Sequence, residues 1–217
     1  MSCMADNRND VLRIVGGHPA LDLVNTVAPR VPGGTADELD YLQAPAALLA
    51  WSRRIGLTDD NEATAVAAAW DRAAGTAEQA LHATIEIREA VYTVLARRDE
   101  SAETAAALEL LTLRWSAAAA RSVLVPGGAV AELQVGTSPA LMIPDRLVAA
   151  AVELLRTVEL RQLRACPIEE GGCGFLFLDR SRNGSRRWCA MEDCGTQAKI
   201  RKLSERRRAT TVDGVQR

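Results

Sequence analysis

CPIEEGGCGFLFLDRSRNGSRRWCAMEDC, residues Cys166 to Cys194, holds four of the five cysteines in the chain. Gaps of six, fifteen and four residues separate Cys166, Cys173, Cys189 and Cys194. Two close pairs of thiols with an insert of hairpin length suit tetrahedral Zn2+. Buried or redox-active thiols without metal are the alternative, and Cys3, near the polar N-terminus, reads as an incidental thiol.

The insert has its own pattern. Phe175 to Asp179, FLFLD, is strand-like. Ser181-Arg-Asn-Gly184 contains the Asn-Gly step of a tight turn, and Ser185 to Cys189, SRRWC, reads as the returning strand. Cys194 and Gly195 then open a helix, so that the last ligand sits in its first turn, as in treble-clef-like sites. A segment of this size has little core of its own, and a metal supplies the missing stability.

Positive charge gathers around the same residues. From Arg161 to the end there are 13 Lys and Arg against 7 Asp and Glu, whereas the chain as a whole carries a net charge of -2. The chain is an acidic body with a basic end, a polarity that points to an anionic partner, with nucleic acid first. The candidates for DNA contact are Arg180, Arg182, Asn183, Arg186 and Arg187 of the turn and return strand, and Gln197, Lys199, Arg201, Lys202 and Arg206 of the helix. Guanidinium groups suit both phosphates and guanine edges. Asn183 reads either as a base reader or, more simply, as a turn residue.

Ahead of the cysteines the pattern is mainly helical. Val11 to Gly17, VLRIVGG, looks like a short strand with a glycine turn, and Pro19 opens a helix carrying Leu21, Val24 and Val27. Pro32 to Asp40 is a loop. Pro45 opens a helix through Leu48, Leu49 and Ile55 that Gly56 closes. Asp59 with Glu62 marks the start of a helix through Trp70 that Gly75 stops, and Thr76 with Gln79 marks a long one through Leu81, Ile85, Val91, Val94 and Leu95. Another spans about Ser101 to Arg121, with Leu108, Leu111 and Trp115 on one side. Apolar runs flanking Pro126-Gly127-Gly128 predict a small hairpin. Pro144 starts a last helix through Leu147, Val148, Val152, Leu155 and Val158.

The fold class is therefore mainly α with a small β component: a helical N-terminal domain over residues 1–160, a zinc finger of hairpin and helix over 161–210, and a disordered tail over 211–217. His18 and Asp22 lie four apart and form a candidate polar pair at a pocket mouth; a capping His and a satisfied Asp are the simpler reading. No nucleophile–base pairing, cofactor motif or open metal site marks an enzyme, and a four-cysteine zinc site is coordinatively closed. With 48% hydrophobic residues the chain can bury a core, yet no apolar run reaches the roughly 20 residues needed to cross a bilayer. A cytoplasmic, soluble protein is expected.

The stretch CGFLFLDRSRNGSRRWCAMEDCGTQAKIRK resembles the CGNR zinc finger, with its Leu-Phe-x-Asp-x-Ser-(Arg/Lys)-Asn segment, its Arg-Trp-Cys-x-Met-x-x-Cys segment and a following basic helix. VGGHPALDLVNTV and LQAPAALLAWSRRIGL are similar to the ABATE domain of stress-induced transcription regulators, usually found ahead of that finger. The resemblance implies a DNA-binding transcription regulator with zinc on Cys166, Cys173, Cys189 and Cys194, and an N-terminal domain that senses a signal or dimerises. A homodimer or a protein of the transcription machinery is a further partner, and docking of the finger on an acidic protein is the alternative function.

Two departures stand out. The naming motif here reads Cys194-Gly195-Thr196-Gln197, and the first gap, from Cys166 to Cys173, is long. Loss of the motif's arginine weakens or redirects DNA binding if that residue touches DNA in relatives; if it braces the fold, the Gln197 amide takes over.

Overall fold

The computed structural model describes residues 12–31, 39–128 and 130–204. Cys3, Arg206, most of the expected 32–40 loop and the 211–217 tail lie outside them.

Helix α1, Pro19–Val24, begins where proline's fixed φ and missing N–H cost nothing, and His18 caps it by accepting the Ala20 amide at Nδ1 (3.2 Å). Ala20, Leu21, Leu23 and Val24 of this short helix are all fully buried. It ends before Val27, which lies in β1 (Val27–Ala28), paired antiparallel with β2 (Leu39–Asp40) at the close of the expected loop. Leu12 to Val15 form no strand, although the Gly16 carbonyl still accepts the Leu178 amide.

Helices α2 (Pro45–Arg54), α3 (Asp60–Arg72), α4 (Thr76–Arg97), α5 (Ala102–Ala120) and α6 (Met142–Thr157) build the body. The expected Asp59–Glu62 signature is a full capping box, with each side chain bonded to the other residue's amide. The second expected box is absent. Gly75, in a left-handed conformation, is itself the N-cap of α4, and the Thr76 hydroxyl donates backward to the Ala73 carbonyl. α3 therefore ends at Arg72, before Gly75. α6 starts two residues ahead of Pro144, because a 3-10 turn over Pro139–Leu141 leads into it.

α4, α5 and α6 pack on one another, and α1 packs against α4 and α6. Trp51, Ile87, Val91, Leu111, Ile143, Leu147 and Leu154 fill the centre. Leu108, expected beside Leu111, instead faces outward. The expected hairpin is present as β3 (Val123–Gly127) and β4 (Val130–Gln134), with the ladder running to Gly127 and Val130. Its apolar side chains stand in solvent: Leu124 is 72% exposed and Val130 73%.

Two charged clasps fasten the β1–β2 ribbon to α4. Buried Arg88 grips both Asp40 oxygens at 2.8 Å, and buried Arg30 pairs with Glu89 at 2.6 Å while its guanidinium lies 3.9 Å above the Tyr92 ring. Planar guanidinium forks hold carboxylates at two points, which fixes direction as well as distance.

The C-terminal unit consists of β5 (Leu163–Ala165), β6 (Leu176–Leu178), a π-helical turn over Met191–Gly195 and α7 over residues 196–204. A hairpin and a helix are present, yet the hairpin is not the expected one. FLFLD pairs with Leu163–Ala165 upstream, and Ser185 to Cys189 forms no strand. Backbone bonding explains the difference. Phe175 and Asp179 bond toward the β5 side, through Cys166 N–H and the Gln162 carbonyl, while Leu176 and Leu178 bond to the N-terminal domain. With both flanks of β6 occupied, a returning strand has no edge to join. Phe175, Leu176, Phe177 and Leu178 are buried in the same core as α1 and α6.

Candidate metal centre

The β5–β6 turn carries the first pair of cysteines. Ile168–Glu170 makes a 3-10 turn, the Gly171 amide bonds back to Ile168 and that of Gly172 to Pro167, and the chain returns to Cys173. Glycine is required at Gly172, where a Cβ would lie 2.7 Å from the Cys166 sulfur and 2.6 Å from the Pro167 carbonyl. The long first gap is thus a compact loop folded over its own ligand. Cys189 and Cys194 come from the far side: Cys189 follows the Trp188 segment, and Cys194 lies in the π turn that feeds α7.

All four ligand atoms lie within 4.8 Å of one another, with Cys173 and Cys189 sulfurs 3.3 Å apart and Cys189 and Cys194 3.7 Å apart. A tetrahedral Zn2+ with Zn–S near 2.3 Å requires sulfurs about 3.8 Å apart. The thiols also govern one another's protons. Hydrogen bonds from Cys173 and Cys189 draw Cys166 down to about 2, and the bond to Cys166 pushes Cys173 up and Cys189 up to about 12. Four sulfurs this close ionise together only around a cation, and bound Zn2+ supplies that charge while leaving no open position for catalysis. The cysteines fit structural Zn2+.

Asp179 and Arg186 brace the segment between the pairs. Buried Asp179 accepts the Ser181 amide and hydroxyl at one oxygen and the Arg186 amide at the other. The Ser181 hydroxyl bond, ahead of the amide bonds, holds its carboxyl below the usual range. The Arg186 guanidinium donates to the carbonyls of Trp188 (3.1 Å) and Cys189, and rests 4.6 Å from the Phe177 centroid. Arg186, expected on DNA, is thus committed to the fold around Cys189.

Among the other expected contacts, Arg180, Arg182 and Asn183 are exposed on the turn, where Gly184 takes φ 57° and its amide bonds to Ser181. Gln197, Lys199, Arg201 and Lys202 are exposed on α7, and Arg201 lies over Gly171. Arg187 is exposed but ion-paired with Glu170. It stands between two open clefts of about 410 Å³ each. One is lined by Glu169, Glu170, Trp188, Lys199 and Lys202, the other by Arg164, Pro167, Ser185 and Arg186. Arg164 and Glu170 were not singled out in sequence; only the β5 pairing places them beside the basic turn, and no local spacing signals it. At the departure from the family motif, the Thr196 hydroxyl donates to the Met191 carbonyl (3.2 Å), tying the π turn to α7, while the Gln197 side chain faces solvent.

His18 and Asp22 each have partners close by in the fold. His18 spends Nδ1 on the helix cap and sets Nε2 3.5 Å from Glu153; burial lowers its pKa. Buried Asp22 accepts the Gly16 amide (2.8 Å), and burial raises its carboxyl to about 6.

Two family profiles match the chain. ABATE, described as "Putative stress-induced transcription regulator", spans residues 17–158, and the CGNR zinc finger spans 162–207. The helical body over the first match precedes the four-cysteine finger over the second, and the chain belongs to the ABATE family, with a CGNR zinc finger following. No curated protein matches it. Among the described residues, no helix is long and apolar enough to cross a membrane.

Proposed function

We propose that this chain is a cytoplasmic DNA-binding transcription regulator, without enzymatic activity, whose zinc finger meets duplex DNA. The observation that carries the reading is the exposed cation set of the finger: Arg180, Arg182, Arg164, Lys199, Arg201 and Lys202 surround one zinc-pinned unit on a chain that is otherwise acidic. Arg180 and Arg182 make no hydrogen bond or ion pair among the described residues, which leaves their guanidiniums available to phosphates. The test is fluorescence anisotropy of the full chain with duplex DNA across a salt series. Each phosphate contact adds about 0.9 to the log–log salt slope, so the combined change of Arg180, Arg182, Lys199 and Lys202 to Ala should flatten it by several units. A wild-type affinity indifferent to salt would refute the reading.

The N-terminal domain is read as the sensing or dimerising part. The protruding β3–β4 hairpin, with Leu124 and Leu133 opposite each other and both exposed, supports dimerisation. Sedimentation of wild type against Leu124→Glu tests it; identical masses at all concentrations would remove this role.

A second reading rests on α7 and the π turn that leads into it. Met191, Ile200 and Leu203 are exposed beside Lys199 and Lys202, a mixture that fits an acidic, apolar protein surface of the transcription machinery. Capture of such a partner with no measurable DNA affinity would select it.

A further inference from the structure

The strip of the N-terminal domain from Gly16 to Arg30 bonds to the finger's backbone at and beyond a zinc ligand. The Arg30 amide donates to the Cys173 carbonyl at 2.8 Å. Two residues after Gly174, the Asn25 carboxamide takes both backbone groups of Leu176, accepting its amide at 2.9 Å and donating to its carbonyl at 2.8 Å. Asn25 has no solvent exposure and behaves as one residue of a neighbouring strand. The Gly16 carbonyl accepts the Leu178 amide at 2.9 Å, extending the same line of bonds. Between these anchors the two backbones nearly touch: Gly174 takes φ 75°, and a Cβ there would lie 1.9 Å from the Arg30 carbonyl oxygen.

The strip is held firmly from behind. Arg30 is 5% exposed, and its guanidinium is fixed by Glu89 and Tyr92 of α4. The position of Cys173 is thereby referred to the helical body as well as to the other cysteines. Thiolate ligands bind a metal most tightly when their backbone already stands in the ligating arrangement, and groups one layer behind the ligands typically change metal affinity 10- to 100-fold.

We propose that Asn25 and the main-chain amide of Arg30 are positioning residues of the zinc centre. The N-terminal domain completes the finger: zinc affinity depends on docking of the α1–β1 strip, and bound zinc in turn tightens that strip, as reciprocity of coupling requires. A ligand or partner that displaces α1 or β1 would loosen zinc without touching a cysteine. The inference concerns zinc and the N-terminal domain alone, and holds whether or not the finger meets DNA.

The test uses the full chain and zinc ion, with competition against a chromophoric chelator and the visible absorption of the Co2+-substituted protein. Asn25→Ala should lower zinc affinity at least 10-fold and alter the Co2+ thiolate bands. Ser101→Ala, which removes the cap of α5, should leave both unchanged although it destabilises the fold. A folded Asn25→Ala protein with wild-type zinc affinity and Co2+ spectrum would overturn the proposal. Should that variant fail to fold, amide hydrogen exchange on the wild type decides. Chelation should speed exchange at Arg30, Leu176 and Leu178 at least 10-fold while Ile87 and Val91 of α4 stay protected; an unresponsive Arg30 amide, or an equal rise across α4, would overturn it.

Discussion

Replacing Arg186 by alanine separates a fold role from a DNA role within one basic cluster. Its guanidinium donates to the Trp188 and Cys189 carbonyls and lies over Phe177, so the substitution removes two charge-assisted bonds and one cation–π contact. Because the side chain is only half-buried, the low end of each range applies: about 1.5 kcal/mol per bond and about 0.5 kcal/mol for the ring, about 3.5 kcal/mol in all. For a chain of this length that corresponds to a drop in Tm of roughly 7–14 °C. Thermal unfolding of zinc-loaded protein reads this directly, and a DNA salt series on the same variant should give the wild-type slope, since no phosphate contact is lost. Arg182→Ala should do the reverse, with an unchanged Tm and a slope smaller by about 0.9. A stable Arg186→Ala protein with a flattened salt slope would refute the assignment of Arg186 to the fold.

Further outcomes follow from other sites. Glu170→Gln should release Arg187 from its ion pair and steepen the salt slope of DNA binding by about 0.9; an unchanged slope would mean that Arg187 never reaches a phosphate. Asp22, raised from 3.8 to about 6 by burial, contributes stability below about pH 4 that is lost as the pH rises through 6. Asp22→Asn should therefore match wild type in urea unfolding near pH 4 and exceed it by up to about 3 kcal/mol at pH 7.5, with a pH-independent difference counting against the burial argument. Asp59→Ala should cost about 1 kcal/mol through loss of the α3 capping box, seen as a Tm lower by roughly 2–4 °C.

What could be read in the sequence was what short-range chemistry decides. Pro19, Pro45 and the Asp59–Glu62 pair announce helix starts through local dihedral and capping requirements, and the structure starts α1, α2 and α3 there. The four cysteines were legible because thiols gathered in two close pairs have few uses, and they converge as expected. The failures share a long-range cause. Asn183-Gly184 has the composition of a hairpin turn, but the partner of FLFLD is chosen by Asn25 and Gly16, about 150 residues earlier, which occupy the flank a returning strand would need. Arg186 has the same charge as Arg182, and only the position of Cys189 and Phe177 turns one inward. Thr76 resembles a cap, yet the preceding Gly75 adopts the left-handed conformation and takes the cap position first.

The double-sided bonding of β6 also bears on solubility. A strand with β5 on one flank and the Asn25 carboxamide and Gly16 carbonyl on the other presents no bare edge to another polypeptide. Severing the chain near residue 160 would uncover a row of unpaired donors and acceptors beside the apolar run Phe175 to Leu178, the kind of template on which chains stack. The finger alone would thus be a self-associating fragment, and the N-terminal domain is, for the finger, the cover that keeps its sheet single.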